Sequence, residues 1–230
     1  MDIFLQQLIN GLVLGSVYAL VALGYTMVYG ILELINFAHG EITMMGGMVA
    51  LAVIGALGIA VPGMPGLVLL GASMLVAIAV CMALGLLIER VAYRPLRNAP
   101  RLAPLITAIG VSIILQNIAM LIWGKQYIAF PPILPQGRHT VLGATISDTQ
   151  IIILLLAAGL MLGLTLLVQK TRLGRAMRAT AQSRQVASLM GVDANRVIAT
   201  TFLIGSALAA IAGVMVSAYY GLAHYYMGFL

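Results

Sequence analysis

Asn36-Phe37-Ala38-His39-Gly40-Glu41 is the densest polar cluster beside an apolar stretch in this chain, and Glu33 lies just before it. A carboxylate, an imidazole and an amide at this spacing could line a path for a polar solute. Ionisable groups at membrane depth are costly and usually face a bundle interior or a water-filled path. Gly24, Gly30, Gly40, Gly46 and Gly47 punctuate the same region. Glycine lets a helix break where neighbours satisfy the freed backbone groups. One reading is a broken or re-entrant segment whose Asn36, Phe37, His39, Gly40 and Glu41 line a translocation pathway. The other is a short cytoplasmic turn between the first two helices. The sequence leaves the two even.

Catalytic chemistry finds no set of residues. His39 and Glu41 do not form an HExxH zinc motif, so a metal site is not expected. His139 and His224 are isolated, and Gly71-Ala72-Ser73-Met74 lacks the second glycine of a nucleophile elbow. There is no GxxxxGK[ST] phosphate loop. If ATP powers this protein, the ATPase is another chain.

A second cluster is basic. Residues 169–198 carry Lys170, Arg172, Arg175, Arg178, Arg184 and Arg196, opposed only by Asp193. The stretch is longer than a helix–helix turn needs. Arg172, Arg175 and Arg178 recur every three residues. The plain reading is a solvated positive flank. The functional reading is a short cytoplasmic helix that lies across the membrane surface and contacts a partner.

The elements that must position these clusters follow from composition. The 230 residues are 62% hydrophobic and 8% charged, with a mean hydropathy of +1.09. A soluble domain carries about 25% charged residues. So little charge cannot cover a water-facing surface. The expectation is an all-α, polytopic transmembrane helical bundle forming a single domain over 1–230. Spanning about 30 Å of hydrocarbon takes about 20 residues. Six stretches qualify: 3–29, 42–60, 67–88, 105–123, 151–168 and 197–220. No basic n-region precedes the first, so it is expected to stay as a helix rather than be cleaved. Cys81 stands alone in an apolar run and reads as a small buried hydrophobe.

The net charge of +6 sits mainly in two loops, 89–104 and 169–197, so orientation in the bilayer explains it better than nucleic acid does. Both loops are expected to be cytoplasmic by the positive-inside rule. Arg90, Arg94, Arg97 and Arg101 supply the first. The proline-rich loop 124–150 is then periplasmic, and the N-terminus is outside. Trp123, Tyr127 and Phe130 are expected at interface depth. In the last span Gly205, Ala209, Gly213, Ser217 and Gly221 recur every fourth residue, which predicts close helix packing in lipid. Gly11/Gly15 and Gly159/Gly163 are further pairs of this kind.

Longer motifs carry a resemblance. Gly24-Tyr25-Thr26-Met27-Val28-Tyr29-Gly30-Ile31, Ile35 to Glu41, and Glu89-Arg90-Val91-Ala92-Tyr93-Arg94-Pro95-Leu96-Arg97 resemble LivH-type permeases of bacterial branched-chain amino acid ABC importers. So do Leu105 to Ser112, Leu173-Gly174-Arg175-Ala176-Met177-Arg178-Ala179, and Ala187-Ser188-Leu189-Met190-Gly191-Val192. The resemblance runs from end to end. It implies a multi-pass permease of the bacterial inner membrane, in contact with lipid and with no cofactor of its own. It also implies a second, LivM-like permease subunit, two cytoplasmic ATPase subunits that bring ATP and magnesium, and a periplasmic substrate-binding protein. The segment around Arg178 to Gly191 resembles the helix that seats in an ATPase groove. Arg175, Arg178, Ala187, Leu189 and Gly191 are its candidate coupling residues. Family members usually continue past a segment like 225–230, so this chain is expected to lack their C-terminal helices.

Two rivals remain at this point. A urea or short-amide ABC permease shares the plan. An ion-coupled secondary transporter would need a relay of intramembrane carboxylates, for which only Glu33 and Glu41 are candidates. A membrane-embedded hydrolase would need a nucleophile paired with a base, and neither is seen.

Overall fold

The computed structural model describes residues 2–32, 35–97, 99–100, 102–135, 137–141 and 143–229. Glu33, Arg101 and Leu230 lie outside the described residues. The long helices are α1 (Asp2–Leu32), α2 (Ala38–Ala60), α3 (Gly66–Ile88), α4 (Leu102–Trp123), α5 (Asp148–Lys170) and α8 (Ala194–Tyr220). Two short ones, α6 (Arg172–Gln182) and α7 (Arg184–Leu189), fill the second basic loop. Six helices are long and apolar enough to cross a membrane.

Helix boundaries follow local chemistry. Val61 to Gly66 turns α2 into α3 through two prolines, and Gly63 takes a φ of +90° there. Ser147 caps α5 with a reciprocal capping box to Gln150. Such a box satisfies orphan donors at a helix start. Asp193 accepts from the Asn195 and Arg196 amides and starts α8, three residues ahead of the expected 197. The expected loop at 89 instead begins as helix. A π turn, Glu89–Tyr93, continues α3 for another turn.

Both basic loops lie at one end of the bundle, joined by Arg97, whose guanidinium donates to Asn195 Oδ1. The opposite end holds the 124–147 segment. It is not bare loop: β2 (Arg138–Val141) and β3 (Ala144–Ser147) form a hairpin. The short β1 (Ile128–Ala129) pairs with β4 (Leu222–Ala223). The Gln6 side chain accepts from the Thr145 amide at 2.7 Å, so the start of α1 belongs to this end. Of the aromatic residues expected at the interface there, Tyr127 is exposed but Phe130 is buried.

α8 is the central helix, packed by α1, α2 and α3. Its small-residue stripe finds partners within this chain. A Cβ at Gly213 would run into the Thr43 carbonyl, and one at Gly47 into Ser217 Oγ. Gly205 lies against α1, with Val28 Cγ2 at 3.1 Å from where its Cβ would be. Ala209 is fully buried. The two other glycine pairs behave differently. Gly11, Gly15, Gly159 and Gly163 have nothing within 4 Å of an added Cβ, so they pack no helix here.

Candidate functional site

The 36–41 cluster is buried apart from Phe37, and it is not an ordinary turn. α1 runs on to Leu32, and residues 35–37 then lead back into the bundle, where α2 starts. The His39 ring packs where a Gly24 Cβ would stand, and the Gly205 carbonyl is 3.1 Å from that same point. At about 1.5 Å per residue, Gly24 is about 12 Å from the Leu32 end of α1 and Gly205 about 16 Å from the start of α8. The first turn of α2 therefore begins well inside the bundle, and the break expected near the start of the chain falls there.

Asn36 makes this start possible. Its Oδ1 accepts from the Ala38 amide at 3.1 Å and from the Tyr93 hydroxyl at 2.8 Å. Its backbone carbonyl accepts from the His39 amide at 3.0 Å. An asparagine in this position satisfies helix donors that hydrocarbon could not. Tyr93 comes from the π turn, which swings its ring inward against Phe202. Tyr93 lies in the Glu89–Arg97 motif, but nothing in the sequence marks it as a partner of Asn36.

His39 and Glu41 are each 1% exposed. The His39 ring leans on Tyr25 with centroids 4.6 Å apart, and its Nε2 has no partner. Glu41 Oε1 accepts from Ser112 Oγ at 3.0 Å and Gln116 Nε2 at 2.6 Å, both on α4. Glu41 Oε2 has no partner. Ser112 belonged to a motif noted for resemblance alone, and Gln116 was missed. Helical spacing of the two, four apart on one face of α4, was the available signal.

Beside this cluster is a cavity of about 320 Å³. Tyr25, Phe37, Ile109, Ser112, Ile113, Gln116, Tyr226 and Gly228 line it. Small-molecule sites typically occupy about 300–1,000 Å³, mostly apolar with a few placed polar groups. The segment after β4 folds back to close one wall, and a Cβ at Gly40 would strike the Gly228 carbonyl. Gly40 thus serves a close backbone approach. Among the described residues no group of three metal-ligating side chains forms.

The basic end holds a second surface. α6 tucks under α5 so closely that a Cβ at Gly174 would meet the Val168 and Leu167 carbonyls. The Arg178 guanidinium donates to the Val168 carbonyl at the α5 terminus. It therefore positions α6, a role not read from the sequence. Arg175 is exposed, whereas Ala187 is buried against its own chain. Leu189 and Met190 are 85% and 81% exposed at the tip of α7. Gly191 follows with a φ of +82°, where side chains are strained. Ser183 caps α7 through the Val186 amide. The result is an apolar knob on a basic surface, braced by Gly191 and Ala187.

The π turn is clamped to this end. Glu89 is 1% exposed and pairs with Arg97. Burial pulls the Arg97 guanidinium below its usual pKa, and the Glu89 carboxylate offsets part of that pull.

Residues 7–230 match the family described as branched-chain amino acid transport system / permease component. The chain is 47% identical to the high-affinity branched-chain amino acid transport system permease protein BraD of Pseudomonas aeruginosa, over 99% of this chain and 75% of that protein. It is 46% identical, with the same coverage of both chains, to the permease protein LivH of Escherichia coli K12 and to that of Salmonella typhimurium. No solved structure matches.

Proposed function

The chain belongs to the permease-component family of branched-chain amino acid transport systems, and from that premise we propose that it carries leucine, isoleucine and valine through the bacterial inner membrane. It is a multi-pass permease subunit. The observation that supports the substrate most directly is identity near one half, along nearly the whole chain, to permeases with that named role. The cavity beside Glu41 suits such a solute: apolar walls from Ile109, Ile113 and Phe37 for an aliphatic side chain, polar atoms from Ser112 and Gln116 for the rest.

In this reading Asn36, Phe37, His39, Gly40 and Glu41 belong to the pathway wall. A LivM-like second subunit completes the pathway, and a periplasmic binding protein delivers the solute. Two ATPase subunits, with ATP and magnesium, dock on the basic end, where the Leu189–Met190 knob is the contact. Arg175 adds charge there, while Arg178, Ala187 and Gly191 hold the knob in place. The arginines put this end in the cytoplasm.

Uptake of labelled leucine in native cells with and without the gene tests the substrate. Loss of a component that excess isoleucine or valine suppresses is expected. Unchanged leucine uptake together with lost urea uptake would replace this reading with the urea permease.

A further inference from the structure

We propose that the Glu41 carboxylate is the subsite that receives the α-ammonium group of the amino acid in transit, an inference that rests on the amino acid reading above. Buried carboxylates are normally paired with a cation or fully hydrogen-bonded. Glu41 is neither. It is 1% exposed, its Oε1 is held by Ser112 and Gln116, and its Oε2 has no partner. The ion pairs found among the described residues are Arg97–Glu89 and Arg196–Asp193, and His139 contacts Asp148; none of these involves Glu41. The vacant oxygen is an acceptor held in place by two donors of α4.

The cavity is bounded by those same donors. Ser112 and Gln116 line it, and so does Gly228. Gly228 also borders the vacant oxygen: a Cβ there would stand 2.7 Å from Glu41 Oε2. Bare backbone at Gly228 therefore borders both the cavity and the carboxylate. When that segment shifts aside, an ammonium reaches Oε2, with Ser112 Oγ and Gln116 Oε1 as further acceptors for its three N–H donors. Ile109 and Ile113 then face the aliphatic side chain. A neutral amide such as urea lacks the charge this site would reward.

The test is leucine uptake by the complete transporter reconstituted with Glu41→Gln, which keeps the shape and removes the charge. Uptake should fall at least about tenfold at equal abundance of assembled complex, and Glu41→Asp should recover part of it. Wild-type uptake in Glu41→Gln, or no advantage of Asp over Gln, would overturn the subsite alone. Absence of leucine uptake by the wild-type complex would overturn the amino acid reading, and the subsite with it. A second measurement needs no variant. A membrane-permeant carbodiimide should label Glu41 in the wild-type complex, and leucine, but not urea, should slow that labelling several-fold. Equal labelling with and without leucine would overturn the proposal.

Discussion

Glu89→Gln should loosen the whole basic end of the bundle. The Glu89 and Arg97 side chains are 2% and 11% exposed, so solvent screens their pairing weakly. Arg97 also donates to Asn195 in the first turn of α8, and its Nε is buried without a partner. Removing the carboxylate strands a cation that water barely reaches. Breaking a buried pair in this way costs about 3–5 kcal/mol. Arg97 keeps its bond to Asn195, so the lower figure applies, and about 3 kcal/mol is about a hundredfold in the opening equilibrium. Cys81 offers the readout. It is the only cysteine and it is fully buried in α3, eight residues ahead of the π turn. Its labelling by a thiol-reactive dye reports opening. Labelling should quicken about a hundredfold in Glu89→Gln, by the same conversion. Arg97→Met should do the same. The double variant Glu89→Leu with Arg97→Met should recover much of the loss, because a well-packed apolar pair can replace a buried ion pair. Single variants within about 0.5 kcal/mol of wild type, the size of a surface substitution, or a double variant that is simply additive, would refute the reasoning.

Gly213→Val should part α2 from α8, since its Cβ would meet the Thr43 carbonyl. Overpacking costs about 1–3 kcal/mol, and Tm in detergent should drop. Gly159→Val, with nothing within 4 Å, should leave Tm unchanged; equal drops would contradict the packing account. Leu189→Asp should abolish co-purification of the ATPase without lowering the amount of inserted permease, and full co-purification would remove the knob from the interface. Gly191→Val strains a φ of +82°, which costs about 1–2 kcal/mol. It should speed hydrogen exchange in α7 and weaken ATPase binding, and unchanged exchange would argue that the turn does not depend on glycine.

The helices were legible because hydrocarbon allows few alternatives. Apolar length set six spans, and arginine placement put both basic loops at one end. Boundaries were harder, although Ser147 and Asp193 were there to be read as caps. The π turn at Glu89 was illegible, because a charged residue after an apolar run reads as a loop. It is helical because Arg97 folds back to neutralise it. Within the site, the polar cluster was visible but its depth was not. Depth depends on Gly24, Gly40 and Gly205 letting three helices and the 226–228 segment meet, which is a tertiary fact. Arg178 illustrates the same limit. Its spacing allowed a partner-facing helix and the resemblance implied an ATPase groove, yet its guanidinium serves the α5 terminus of its own chain.

In the proposed function this chain, with its partners, moves branched-chain amino acids at the expense of ATP. Proteoliposomes holding this permease with its second subunit, ATPases and binding protein test it most directly. ATP-dependent accumulation of labelled leucine, suppressed by isoleucine and valine but not by urea, is the expected result. Accumulation of urea in place of leucine, or leucine entry that ignores ATP and follows an ion gradient, would contradict it.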